Sequence, residues 1–186
     1  KPSLHNASQY AKLNNEMMAN AGYNQNPLWA APSSLGNGTN WNDKVFRTGY
    51  LENYTLSYSG GSDKAHYYVS GGFLNQTGTV RSVSYRRYTF EANSDAQVLK
   101  WLKFSNSLAL SADVKKQGSY DLGSTYRALP IFPVKDENGE WSGPNGNSLW
   151  YGSTRNPVGP TEMDQNKTNG YNLLGSITGE ISFSKD

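Results

Sequence analysis

The stretch Asn53-Tyr54-Thr55-Leu56-Ser57-Tyr58-Ser59 sends Tyr54, Leu56 and Tyr58 to one side and Asn53, Thr55, Ser57 and Ser59 to the other. Two is the side-chain period of a β-strand, so this segment predicts a strand with one apolar and one polar face. Gly60-Gly61-Ser62-Asp63-Lys64 follows as a turn. Ala65 to Asn75 then resumes the alternation, with Tyr67, Val69 and Phe73 on the face shared by the small Gly71. Tyr85 to Asn93 sets Tyr88, Phe90 and Ala92 against Arg87, Thr89, Glu91 and Asn93, and Asn93-Ser94-Asp95 reads as the next turn. Leu102 to Ala112 gathers Leu102, Phe104, Leu108, Leu110 and Ala112. Asn172 to Phe183 places Leu173, Ile177, Ile181 and Phe183 opposite Ser176, Thr178, Glu180 and Ser182.

Five amphipathic strands fit a soluble sandwich, whose apolar faces pack on each other, or a membrane barrel, whose apolar faces meet lipid. Link lengths favour the barrel. The links after the first and third strands are short, whereas long polar segments precede the first strand and follow the fourth. Strands that alternate up and down then put short links at one rim and long links at the other, the asymmetry of outer-membrane barrels.

Composition agrees. Of 186 residues only 35% are hydrophobic and 17% charged, little for a conventional core. Aromatics at 13%, with 13 Tyr and 5 Trp, argue against disorder. The 17 basic and 15 acidic residues are scattered, so no footprint for nucleic acid is present. Without cysteine there are no disulfides, thiolate metal sites or thiol nucleophiles. No run approaches the ~20 apolar residues of a spanning helix, and Lys1-Pro2-Ser3-Leu4 does not open a signal peptide. A membrane role therefore requires a barrel, and a targeting signal is expected outside this sequence.

The first segment predicts a helix: Asn6 caps it, Gln9 completes a box-like pattern and Gly22 stops it, with Tyr10, Leu13, Met17 and Ala21 as its packing face. Tyr23 to Thr48 reads as an ordered loop held by Trp29, Trp41 and Phe46. Asp113 to Asn169 is a second, proline-rich loop, with Asp136-Glu137-Asn138-Gly139 as a small hairpin turn. It carries Tyr126, Trp141, Trp150 and Tyr151, aromatics suited to stacking on a sugar ring or contacting a peptide or partner; for each one taken singly, packing of the loop is the simpler reading. On the barrel reading, residues 1–50 form a first long extracellular loop with a short α-helix, 51–112 four barrel strands, 113–170 a long extracellular loop and 171–186 a fifth strand.

No catalytic or metal chemistry emerges. His5 and His66 lack metal-ligand spacing, no nucleophile–base–acid set is present, and Asp136-Glu137-Asn138-Gly139-Glu140 has its glycine too early for a calcium-binding EF-hand. No cofactor and no enzymatic activity are expected.

Four stretches carry a resemblance. They are Asn40-Trp41-Asn42-Asp43-Lys44-Val45-Phe46-Arg47-Thr48-Gly49 through Asn53-Tyr54-Thr55-Leu56-Ser57; Ser59 to Lys64 leading into Tyr67-Tyr68-Val69-Ser70-Gly71-Gly72; Arg87 to Asp95 leading to Trp101-Leu102-Lys103; and Asn156-Pro157-Val158. In order and spacing they resemble the SusC/RagA family of TonB-dependent outer-membrane transporters of Bacteroidetes, and Leu4 to Ala11 is similar to the helix of that family's first long loop. The resemblance implies an all-β fold, antiparallel strands of a transmembrane barrel, here a fragment from the N-terminal part of the barrel. It implies import of a glycan or peptide, a SusD-like surface lipoprotein as partner, TonB acting through a plug region this sequence does not show, and no nucleic acid. An open sheet cannot satisfy its edges in lipid, so five strands are not expected to transport alone. Tyr54, Leu56, Tyr58, Val69, Phe73, Phe90, Leu108 and Ile177 are then expected to face outer-membrane lipid. The alternative is a secreted soluble β-sandwich that binds carbohydrate, with Leu102, Phe104, Leu108 and Leu110 in its core.

Overall fold

The computed structural model describes residues 3–144, 151–152 and 154–183. They fall into two compact units: a loop unit of Lys1–Thr48, Thr79–Ser82 and Gly118–Gln165, and a sheet unit of Gly49–Gly78, Val83–Gln117 and Asn166–Asp186.

The sheet unit is a five-stranded antiparallel meander, β1 (Tyr50–Ser62), β2 (Ala65–Thr77), β3 (Val83–Leu99), β4 (Leu102–Gly118) and β5 (Gln165–Ile181), in the spatial order β1-β2-β3-β4-β5. All five expected strands are present, and each is longer than its alternation suggested. Ser62 pairs with Ala65, so Gly60, Gly61 and Ser62 belong to β1 and the turn is Asp63-Lys64 alone. The turn between β3 and β4 is at Lys100-Trp101, and Asn93-Ser94-Asp95, expected to reverse the chain, lies inside β3. Turn-forming side chains here serve the ladder instead: Ser107 Oγ donates to Asn93 Oδ1 at 2.7 Å, Ser94 Oγ to Asn106 Oδ1 at 2.7 Å, and Lys103 Nζ approaches Asp95 at 3.5 Å. Such cross-strand polar pairs keep Asn, Ser and Asp in strand conformation despite their low β-propensity. β4 likewise runs on to Gly118 and β5 begins at Gln165, which shortens the second loop at both ends.

Register fixes the faces, because residues directly opposite each other share a side. Tyr54 pairs with Phe73, Phe73 with Tyr88 and Tyr88 with Ala112; Tyr58 pairs with Val69, Val69 with Ala92 and Ala92 with Leu108. Along β4 and β5, Gly175 abuts Leu108, Gly170 abuts Asp113, Asn172 Nδ2 donates to Ser111 Oγ, and Ser182 N–H donates to the Trp101 carbonyl. That constant offset puts Tyr171, Leu173 and Ile177 on the side of Leu108 and Leu110. One continuous face therefore carries all eight residues expected to face lipid. The opposite face carries Thr55, Ser57, Ser70, Thr89, Glu91, Ser105 and Ser107, with Tyr68, Leu74 and Leu174 as larger members.

Among the described residues, every buried hydrophobic side chain lies in the loop unit: Ala7, Ala11, Met18, Trp29, Trp41, Val45, Val80, Ala128, Leu129 and Val158. On the sheet, Leu56 is 81% exposed, Ile177 75% and Phe104 44%. The sandwich alternative required Phe104 in a core, and this exposure does not provide one.

The loop unit is more helical than the single expected helix. That helix, α1 (Ala7–Asn20), has the predicted cap: Gln9 N–H donates to Asn6 Oδ1 at 2.8 Å and Asn6 N–H to Gln9 Oε1 at 3.0 Å. At its other end Gly22 adopts φ 73°, Gly22 N–H donates to the Ala19 carbonyl and Tyr23 N–H to that of Met18, a Schellman closure. Its packing face differs from the expected one. Ala7, Ala11, Asn14, Asn15 and Met18 are buried, while Leu13 and Met17 are 49% and 54% exposed. The buried stripe is small because the chain crosses closely: Ala7 and Ser8 amides donate to the Asn37 and Gly36 carbonyls, and Asn15 Nδ2 donates to the Trp29 carbonyl at 2.8 Å. A face read by hydrophobicity alone misses alanines and asparagines that fit under backbone. The described residues of the unit also form short helices α2 (Trp41–Val45), α3 (Leu122–Arg127) and α4 (Val158–Met163), with 3-10 turns at Pro27–Trp29 and Pro32–Leu35. None of the described helices is long and apolar enough to cross a membrane.

Candidate functional site

Trp41 opens α2 and is held by two anchors. Its ring is buried, and Nε1 donates to the Leu129 carbonyl at 2.9 Å. Asn40 Nδ2 donates to Asp43 Oδ2 at 2.8 Å, and Phe46 bridges to Val80 while Arg81 donates to the Val45 and Asp43 carbonyls. Gly38, at φ 63°, lets the preceding segment pass so close to Pro130 and Ala7 that any side chain there would collide with both. These contacts leave a cleft of about 570 Å³ within the loop unit, between the chain before α1, residues 37–43 and residues 126–130.

The cleft combines aromatic rings of Tyr10, Trp41 and Tyr126 with amides of Asn6, Asn37 and Asn40 and the charged Asp43 and Arg127. Flat apolar walls with a few convergent polar groups suit a polar organic ligand or a partner loop. Burial raises the Tyr10 phenol above its ordinary pKa, partly offset by a hydrogen bond with Asn14, so the side chain is a neutral hydroxyl at neutral pH. Tyr126 sits on α3, whose cap Asp121 accepts from Gly123 N–H at 2.8 Å and from Ser124 Oγ. The Ser124 hydroxyl and amide hold the Asp121 carboxyl below its usual range. His5 lines the cleft as well, and no cluster of potential metal ligands occurs among the described residues.

Of the three described loop aromatics singled out in the sequence, Tyr126, Trp141 and Tyr151, only Tyr126 borders this cleft. Tyr151 packs edge-on against Trp29 (5.9 Å) and Phe132 (5.3 Å) and takes a hydrogen bond from Asn26. Trp141 bridges to Lys135, whose Nζ lies 4.5 Å from its ring centre, and packs on Gly159. Trp150 lies outside the described residues. The hairpin turn expected at Asp136 to Gly139 is present, and Asp136 Oδ1 accepts from both Asn138 and Glu140 amides at 2.9 Å. One organiser was missed: Asn156 donates from Nδ2 to the Val134 and Ser142 carbonyls at 2.8 Å each and accepts from the Val158 amide at 2.9 Å. Only the Asn156-Pro157-Val158 resemblance marked it.

No family model matches the chain. SusC, a TonB-dependent receptor of Bacteroides thetaiotaomicron, is 27% identical over 184 residues, covering 85% of this chain and 18% of the relative. The TonB-dependent receptors P3 and P26 of Formosa agariphila are 29% and 28% identical, covering 56% and 78% of this chain but 12% and 14% of the relatives. The structure of the RagAB peptide importer in its closed-closed state superposes with a TM-score of 0.57 at 22% identity, over 81% of this chain and 18% of the other. The chain is SusC/RagA-like. It spans less than a fifth of the length of each of these relatives, and its SusC/RagA-like sheet is an arc of a barrel fold. The relatives are receptors or an importer by name, and none is named as an enzyme.

Proposed function

We propose that the chain is one tract of an outer-membrane TonB-dependent importer of glycans or peptides, in which the sheet forms wall and the loop unit forms extracellular vestibule. The observation that carries this reading is a continuous apolar sheet face on which, among the described residues, no hydrophobic side chain is buried, while the buried hydrophobic side chains lie in the loop unit. Lipid covers such a face at no cost to the backbone once the barrel is closed. Tyr54, Leu56, Tyr58, Val69, Phe73, Phe90, Leu108 and Ile177 then meet lipid, and the serines and threonines opposite line the lumen. The dimensions agree: Tyr171 to Ile181 is ten steps of about 3.3 Å, roughly 33 Å, and a strand tilted ~45° lifts this about 23 Å, near the ~25 Å apolar band of such barrels.

In this scheme residues 1–50 and 113–170 hold the extracellular loops, and residues 51–112 and 171–186 the strands. The cleft beside Tyr126 takes substrate or a SusD-like lipoprotein, and TonB acts through regions that these strands do not supply. Asp63 and Asp95 fall at the periplasmic side and Asn138 at the extracellular side. An epitope inserted after Asn138 is expected to be labelled on intact cells and one after Asp63 only after permeabilisation; the opposite pattern contradicts the orientation.

A further inference from the structure

Two rows beyond the aromatic row of Tyr88, Ala112 and Tyr171, toward the loop-bearing ends of the strands, the same apolar face turns cationic. Ser84 pairs with Lys116, and the β4–β5 offset that sets Gly170 beside Asp113 sets Lys167 directly opposite Lys116. Arg86, opposite Val114 one row nearer, is diagonal to Lys116. All three side chains are exposed. Directly opposed residues have Cβ atoms only about 4.5–5.5 Å apart, and like charges at that separation are destabilising. Among the described residues no carboxylate is paired with Lys116 or Lys167. Arg86 is aimed by Nε donating to Asn75 Oδ1 at 3.2 Å, while Asn75 Nδ2 donates to Glu52 at 2.8 Å, which leaves the outer guanidinium nitrogens free of that chain. Immediately below the cations lies an apolar hollow of about 440 Å³, walled by Tyr88, Phe90, Leu110, Ala112, Tyr171 and Leu173.

We propose that Arg86, Lys116 and Lys167 bind the phosphate of a membrane-lipid headgroup whose acyl chain occupies the hollow beneath. The proposal rests on the lipid-facing reading of this sheet face. A phosphate relieves the Lys116–Lys167 repulsion, Arg86 adds planar donors, and the hollow supplies what a free anion has no use for. Beyond the apolar band the cations reach headgroup depth, where basic side chains favour anionic lipid.

The test is native mass spectrometry of the intact detergent-released barrel carrying these strands, offered bisphosphorylated lipid A, dephosphorylated lipid A, phosphatidylcholine or inorganic phosphate. Preferential retention of bisphosphorylated lipid A, reduced roughly tenfold or more in Lys116→Gln/Lys167→Gln, is expected. Equal retention with and without phosphates, an unchanged double variant, or inorganic phosphate displacing the lipid at millimolar concentration overturns the proposal. A fluorophore at Leu173, in the same barrel in brominated-lipid nanodiscs, separates the two readings. Quenching there without phosphate selectivity removes the headgroup site alone, and absence of quenching removes the lipid-facing reading as well. Heat-dependent gel mobility of the variant confirms that it is folded.

Discussion

Tyr54 and Phe73 stack across the β1–β2 pair with ring centres 6.4 Å apart and planes 7° from parallel, and Phe73 in turn meets Tyr88 at 5.1 Å. Three rings on three successive strands form a row across the apolar face. Such a pair contributes about 0.5–1.5 kcal/mol beyond area burial. A double-mutant cycle of Tyr54→Leu and Phe73→Leu, read from unfolding in lipid, is expected to give a coupling in that range. A coupling indistinguishable from zero shows that the rings only share a face.

Asn156 ties the Lys135–Trp141 hairpin to α4 through four hydrogen bonds. Asn156→Ala removes a donor from both carbonyls, although Val134 keeps its bond from the Ser142 amide at 3.2 Å, and is expected to destabilise the loop unit by about 1–3 kcal/mol. Hydrogen exchange reads the effect: protection at the Val158 and Gly159 amides falls, and protection in β1–β4 is unchanged. Asn156→Asp keeps the acceptor and loses the donors, so it should restore the amide protection only in part.

Asp121 gives the α3 cap a pH dependence. Its folded carboxyl titrates below the ordinary value, so the stabilisation is complete above that ordinary value and is lost as pH falls through the lowered one. Protection factors at the Gly123 and Thr125 amides, which are corrected for the intrinsic pH dependence of exchange, should therefore be steady at neutral pH and fall only in strong acid. In Asp121→Asn the fall is expected to disappear, since the amide cap does not titrate.

Tyr126 and Trp141 are predicted to separate. Trp141→Ala removes the partner of Lys135 and should loosen the hairpin with little change in ligand capture. Tyr126→Ala, at the mouth of the cleft, should weaken substrate uptake or lipoprotein co-purification several-fold while leaving the heat resistance of the barrel intact. Equal effects of the two substitutions on uptake remove the cleft from the account.

The sheet was legible because its signal is local and repeated. Tyr54, Leu56 and Tyr58 announce a face within seven residues, and β2 to β5 answer it on the same side. The end of β3 was not legible, since Asn93-Ser94-Asp95 favours turns in isolation and remains extended only through Asn106, Ser107 and Lys103 on the next strand. The cleft was legible least. Trp41 was marked as a loop anchor, but its partner, the Leu129 carbonyl, lies 88 residues away, and Tyr10 joins the site from another helix. Alternation carries no information about contacts of that kind. The buried face of α1 differs from its hydrophobic spacing for a related reason: Ala11 and Asn15 are buried by close backbone, which that spacing does not register.

In the proposed barrel the face bearing Leu56 and Leu108 meets lipid and the face bearing Thr55 and Ser107 meets water. The most direct measurement places spin labels at these four positions in the barrel reconstituted in bilayers and compares collision with oxygen, which partitions into lipid, and with a water-soluble nickel chelate. Oxygen is expected to dominate at Leu56 and Leu108 and the chelate at Thr55 and Ser107. Chelate-dominated collision at both leucines, with oxygen dominant at Thr55 and Ser107, would contradict it.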